Sequence, residues 1–141
     1  MRIAVLPIGA GEKAAPRGPL AALAAALASG LEAAGHRPEI LDASGDLRCL
    51  ASFDYVVIGT EAEGLWGKIP ARISTILKQA YGLEGKRAYA FVRKSGLRPA
   101  TTLAKLMSAM EAEGMRVNDA EILSSPEGAT EAGRAAPAER A

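Results

Sequence analysis

The sequence is poor in the residues that most often advertise chemistry: one cysteine, one histidine and one tryptophan in 141 residues, with aromatic residues at 4%. A single cysteine, Cys49, excludes an internal disulfide framework and any centre built from several thiolates, and it suits a reducing compartment. No histidine adjoins it in the chain, so it reads as a structural or incidental thiol. The sole histidine, His36, sits in the turn GHRP between a helix and a strand. That turn belongs at the amino ends of the strands, which argues against a Ser-His-Asp triad and against a histidine metal cluster. Charge of one sign is lacking too. Seventeen basic side chains against sixteen acidic ones leave +1, and no global field steers the chain toward nucleic acid or an anionic membrane. Long apolar runs are absent: in MRIAVLPIGAGEK roughly seven residues precede Gly, Glu and Lys, too few for a signal-peptide core or a membrane span. The expectation is a cytoplasmic protein. Neither a P-loop pattern nor GxGxxG follows this first run, which disfavours a P-loop NTPase and a dinucleotide-binding fold.

What is present is an ordinary globular composition, 49% hydrophobic and 23% charged, at a length close to that of one domain. Arg2 to Ile8 are mostly apolar and stop at Gly9, as in a strand buried on both faces. Pro19 suits a first helical turn, and Leu20, Leu23, Leu27 and Leu31 recur at spacings of three and four, with a stop near Gly35. Pro38 to Leu41 read as a second strand. Asp42 to Phe53 are too short and polar for a long helix and leave room for a turn or two. The run YVVI, Tyr55 to Ile58, is β-branched and central in character. From Lys68 onward Ile69, Ile73, Ile76, Leu77 and Ala80 mark a second long helix, with Pro70 tolerated in its first turn and Gly82 as the stop. Lys86 to Val92 give a fourth strand. Leu103, Leu106, Met107 and Met110 give another amphipathic helix, closed by Gly114, with its methionines filling core. Met115 to Leu123 supply a fifth strand.

Strands alternating with single helices demand parallel pairing through right-handed crossovers. The expected fold is therefore α/β: a doubly wound, five-stranded parallel sheet of order 2-1-3-4-5, helices on both faces, in a three-layer sandwich. The closing stretch SSPEGATEAGRAAPAERA has no large apolar residue. The expectation is a domain over residues 1–125 and a flexible tail over 126–141 that adds little stability.

In such a sheet the ligand crevice lies beyond the carboxyl ends of the strands, where the winding reverses. Three loops converge there: Gly9 to Gly18, Thr60 to Lys68 and Arg93 to Pro99. In element order over roughly residues 1 to 123, and in the stretches DYVVIGTEAEGLWGKIPARISTILKQ and LEGKRAYAFV, the chain resembles the flavodoxin family. The resemblance implies FMN, with its phosphate on the first loop and its isoalloxazine ring between the second and third. The implied contacts are Gly9, Gly11, Lys13 and Arg17; Thr60, Glu61, Trp66 and Gly67; and Arg93, Ser95 and Gly96.

Read residue by residue, each loop departs from the family. The first has no Ser or Thr where flavodoxins carry hydroxyls, so Gly9, Gly11 and Gly18 would offer backbone N–H groups and Lys13 or Arg17 the charge. Basic residues in this loop are closer to the pattern of flavodoxin-like FMN reductases; a solvated Gly/Pro loop is the plain alternative. Trp66 can stack on a flavin ring, cover the domain's own helix, or meet a partner protein. Glu61 and Glu63 place negative charge where an anionic cofactor would sit, or simply make the loop polar. Arg93, Lys94 and Arg98 around Ser95 and Gly96 form a local anion site or a solvated loop. Two functions follow: an FMN-binding electron-transfer or redox protein with a redox partner protein, or a binding and interaction module that kept the scaffold without the flavin.

Overall fold

The structure, a computed structural model, describes residues 1–10 and 18–136. Strand β1 (Arg2–Ile8) leads through the first loop to α1 (Pro19–Ala33), followed by β2 (Arg37–Ile40) and a short 3-10 helix (Leu47–Ser52). Then come β3 (Tyr55–Glu61), α2 (Arg72–Gln79), β4 (Arg87–Arg93), α3 (Pro99–Ala112), β5 (Arg116–Leu123) and α4 (Pro126–Ala135). The five strands form one sheet in the order β2-β1-β3-β4-β5, every pair parallel, as the sequence leads one to expect. Helix α2 starts later than its apolar spacing indicates. Ile69 and Pro70 lie before it, and the Pro70 carbonyl accepts the Ile73 N–H.

Alternate side chains of the central strands feed opposite cores. Ala4, Leu6, Ile8, Val56, Ile58, Ala90 and Val92 face α2, α3 and the 3-10 helix. Ile3, Val5, Tyr55, Val57, Tyr89 and Phe91 face α1 and α4. On this second side the strands carry bulk where their neighbours carry none. Gly59 lies beside Phe91 in the β3–β4 register, and a Cβ at Gly59 would fall 2.0 Å from Phe91 Cζ. Glycine here gives up side-chain packing so that the phenyl ring can cross β3.

The expected flexible tail is corrected over Pro126–Ala135. Ser125 caps a helix there by accepting the Gly128 N–H, with Pro126 in the first turn, and Ala129, Ala132 and Gly133 are buried. The helix docks on α1 by close backbone approach: a Cβ at Gly30 would meet the Thr130 carbonyl at 2.1 Å, and one at Gly133 the Leu27 carbonyl at 2.3 Å. Residues 137–141 lie outside the described residues, so the expectation made for them does not bear on this helix.

Two buried phenols sit low on the same face. The Tyr55 hydroxyl donates to Asn118 Oδ1 at 2.5 Å. The Tyr89 hydroxyl is enclosed beside Glu121 without a well-formed hydrogen bond among the described residues. Burial first, and then the carboxylate of Asp119 at Tyr55 and those of Glu121 and Asp119 at Tyr89, push both phenols above the ordinary tyrosine range. A raised folded-state value means that the neutral form is favoured by folding. The associated stability is full below the unfolded-state value of about 10 and is lost as pH climbs beyond it. Stability is therefore expected to fall above about pH 10, and Tyr89→Phe to flatten that fall, as read from urea midpoints across the alkaline range. An alkaline slope identical in the two proteins would assign the loss to other groups.

Candidate functional site

The carboxyl ends of β1, β3 and β4 lie side by side, with Ile8 beside Thr60 and Glu61 beside Arg93 in the strand register. The Thr60 hydroxyl is wholly buried and donates to the Ile8 carbonyl at 2.5 Å, so it ties β1 to β3 beneath the crevice and faces no ligand. Glu61 and Arg93 follow Tyr55 and Tyr89 at even spacing and project on the α1 side. There the Arg93 Nε donates to Glu61 Oε1 at 2.9 Å, with side-chain exposures of 28% and 18%. The other carboxylate oxygen, Oε2, accepts the backbone N–H of Ala10 at 3.1 Å, at the entry to the first loop. The charge of Glu61 is thus balanced within the crevice and its hydrogen bonds are largely made.

Arg72, near the start of α2, donates through Nη2 to the Gly9 carbonyl at 3.0 Å and adds a cation behind the first loop. Gly9 is buried at that loop's base. Gly11, Lys13 and Arg17, the other residues expected at a phosphate, lie outside the described residues.

The second and third loops are stitched together by hydrogen bonds. Ser95 Oγ accepts the Ala62 N–H at 3.2 Å, and the Leu97 N–H donates to the Leu65 carbonyl at 2.9 Å. Within the second loop the Glu63 N–H donates to the Lys68 carbonyl at 2.7 Å. Gly96, at φ 68°, passes so close that a Cβ would lie 3.1 Å from the Gly64 carbonyl. Gly67, at φ 85°, packs against Thr101 of α3. These glycines serve the approach of one loop to the other, because a left-handed residue with a side chain would be strained at both places.

This stitching holds out an apolar platform. Trp66 is 66% exposed, with Leu65 and Leu97 exposed beside it, and the Arg98 guanidinium lies 5.7 Å from the indole centroid. A tryptophan that was covering its own helix would be buried; this one is not. Arg98 beside it is exposed, as is Lys94 of the same third loop, so this end of the sheet carries a cationic rim. Of the expected residues, Glu61, Arg93, Ser95, Gly96, Gly67 and Trp66 are brought to one end of the sheet. Arg72, Ala10, Leu65 and Leu97 belong with them and were not singled out from the sequence. A leucine next to the lone tryptophan, between two glycines, was the available signal for Leu65; the Arg72 contact, made from a helix, had none.

No family model matches the chain, and no curated protein matches it in sequence. Solved structures match it over nearly its whole length. The two-electron reduced flavodoxin of Megasphaera elsdenii superposes with a TM-score of 0.71 at 20% identity, covering 99% of both chains. The fold is flavodoxin-like. Oxidised flavodoxin 1 of Bacillus cereus gives 0.70 at 15% identity, covering 94% of this chain and 95% of its own. A WrbA-like flavodoxin protein of Agrobacterium tumefaciens gives 0.66 at 18%, covering 95% and 93%. At these identities the likeness carries the flavodoxin-like architecture, and the chemistry must be argued from the residues.

Tested against FMN, the two ends of the crevice differ. The ring end fits: an exposed indole stands beside exposed leucines and a close-packed glycine turn, an aromatic face open to a planar ring. At the phosphate end the Ala10 amide is already engaged by a carboxylate. Among the described residues no group of three or more His, Cys, Asp or Glu side chains could hold a metal, and no helix is long and apolar enough to cross a membrane.

Proposed function

We propose that the protein is a flavin-binding redox protein that takes FMN at the carboxyl end of its sheet, with the isoalloxazine ring against Trp66 and the Ser95–Leu97 turn. The observation that carries this reading is the exposed Trp66 platform, held by the Leu97–Leu65 and Ala62–Ser95 hydrogen bonds at the switch point between β1 and β3. Its likeness to flavodoxins solved in oxidised and two-electron reduced forms supports the redox reading. When bound, the flavin supplies the electron chemistry. The chain's part is to orient the ring, to shield one face of it with the indole, and to set the charge around it. Arg98 and Lys94 favour negative charge at the ring, whereas Glu63 opposes it and the Arg93 charge is taken up by Glu61. A redox partner would meet the open side of the same platform, where the cationic rim favours an acidic surface.

A second reading is favoured by one specific observation, the Glu61 carboxylate in contact with the Ala10 amide. In that reading the crevice is closed by its own side chains, and Leu65, Trp66 and Leu97 form a protein-docking surface. Equilibration of the purified protein with FMN, followed by gel filtration, separates the two. Co-elution of flavin absorbance with the protein, reversibly bleached by dithionite, is the expected result. Protein that emerges colourless after exposure to FMN well above micromolar concentration would favour the docking surface.

A further inference from the structure

Charge is spread unevenly along the chain. Residues 68–110 carry nine of its seventeen basic side chains and a single acidic one, Glu84, although the whole chain nets only +1. That segment supplies α2 and α3, which cover one face of the sheet. Helix α2 has no acidic residue, and the first in α3 is Glu111, in its last turn. We propose that the cleft between these two helices is a docking groove for a partner protein's amphipathic helix, one with an apolar ridge and acidic flanks. Neither helix carries a residue assigned to the flavin, so the groove stands apart from the flavin reading above.

Both helices rest on the sheet, α2 through Ile73, Ile76 and Leu77 and α3 through Leu106 and Met110, and they close little against each other. Between them a cleft of about 600 Å³ is walled by Ile69, Ser74, Thr101, Ala104, Lys105 and Ala109. Apart from Ile69 its apolar wall is alanine, so bulk must come from outside, as when the ridge of one helix enters the groove between others. At its upper end the cleft reaches the second loop, where Gly67 packs against Thr101 and Trp66 stands exposed. Lys105 lies in the wall itself, and Lys78 follows Ser74 by one turn on the same side of α2. Both lysines are exposed and make no ion pair among the described residues, which leaves their charges to the flanks of a bound helix. An anionic bilayer would meet the lysines and leave a concave cleft unfilled. A nucleic acid would find alanine where it uses aromatic faces or donors to phosphate.

The test uses the full chain and a synthetic peptide as long as α3, with leucines at spacings of three and four and glutamates on both flanks; the same residues in scrambled order are the control. In ¹⁵N–¹H spectra the amphipathic peptide is expected to move the amides of Ser74, Ala104 and Lys105 saturably, with and without FMN, and the scrambled one to leave them in place. Added salt should weaken the binding. Lys78→Glu combined with Lys105→Glu should weaken it by roughly tenfold, and Lys78→Gln combined with Lys105→Gln by about threefold, which keeps the test open should reversed charge disturb α2. Ala104→Arg separates groove from charge. It adds a cation at an exposed helical position that arginine suits, yet fills the cleft, and should weaken the peptide by roughly tenfold. A peptide that leaves these amides in place, or that binds the Ala104→Arg protein as tightly as the parent, overturns the groove. Lysine variants that bind it as the parent does overturn the acidic flanks. Phosphatidylglycerol vesicles or a DNA duplex binding at these amides in place of the peptide would overturn the helical partner. Failure of the flavin reading looks different: FMN leaves the spectrum unchanged, while the peptide still moves the α2 and α3 amides.

Discussion

Ending the chain after Ser125 is expected to lower the melting midpoint by about 10 °C. Helix α4 buries Ala129, Ala132 and Gly133 against α1 and helps cover the cluster that holds Leu27, Leu31 and Leu123. About 120 Å² of apolar surface returned to water corresponds to about 3 kcal/mol at some 25 cal/mol per Å², and each kcal/mol moves the midpoint of a domain this size by roughly 3 °C. Finer substitutions test the same interface. Alanine in a helix is ordinarily favoured over glycine by about 1 kcal/mol, so Gly30→Ala and Gly133→Ala would stabilise two helices that merely lay near each other. Here the added Cβ falls 2.1 Å from the Thr130 carbonyl or 2.3 Å from the Leu27 carbonyl, and backbone must move. Each substitution is expected to lower the midpoint, at a net cost of about 1–2 kcal/mol once overpacking outweighs propensity. Calorimetry that found truncation neutral and both alanines stabilising would mean that α4 does not dock as described.

Trp66→Ala is expected to weaken FMN and riboflavin alike, by roughly 10- to 100-fold, while leaving the melting midpoint within about a degree. The first part follows from stacking: a planar ring on an aromatic face contributes about 1–3 kcal/mol, and each 1.4 kcal/mol is tenfold in affinity. The second follows from exposure, since a side chain 66% open to solvent supports little of the core. Equal loss of both ligands is the mark of a contact to the ring, since riboflavin lacks the phosphate. A large drop in stability would recast Trp66 as a packing residue.

The sheet was legible because its central strands are buried on both faces and so carry unbroken apolar runs such as YVVI, punctuated by glycine where the crevice begins. Alternation with leucine- and isoleucine-spaced helices then left a parallel order as the consistent solution. Helix α4 was not legible for a physical reason. Its interface is made of alanine and glycine, whose burial comes from backbones in close approach and leaves no mark in a hydrophobicity pattern. The start of α2 was misplaced because Ile69, in step with the helix, is partly buried from a loop instead.

The candidate site was legible as a place and less so as a set of contacts. Gly, Trp and clustered Arg and Lys after the strands drew attention to loops that the structure brings together at one end of the sheet. That Glu61 would face Arg93 depended on the β3–β4 register, which pairs those two positions, and that it would reach Ala10 depended on the neighbouring β1 end. Thr60 looked available because a strand-end hydroxyl is usually open; its bond to Ile8 turns it inward.

The lone tryptophan makes the central claim directly testable, since its indole N–H gives one unambiguous signal in a ¹⁵N–¹H spectrum of the labelled protein. On titration with FMN, the expected result is a saturable shift of the Trp66 indole together with the amides of Gly64, Gly96 and Leu97, those of the strand interiors staying in place. Flavin binding that moved other residues and left the Trp66 indole and the Gly96 amide untouched, or a spectrum unchanged at saturating FMN, would contradict it.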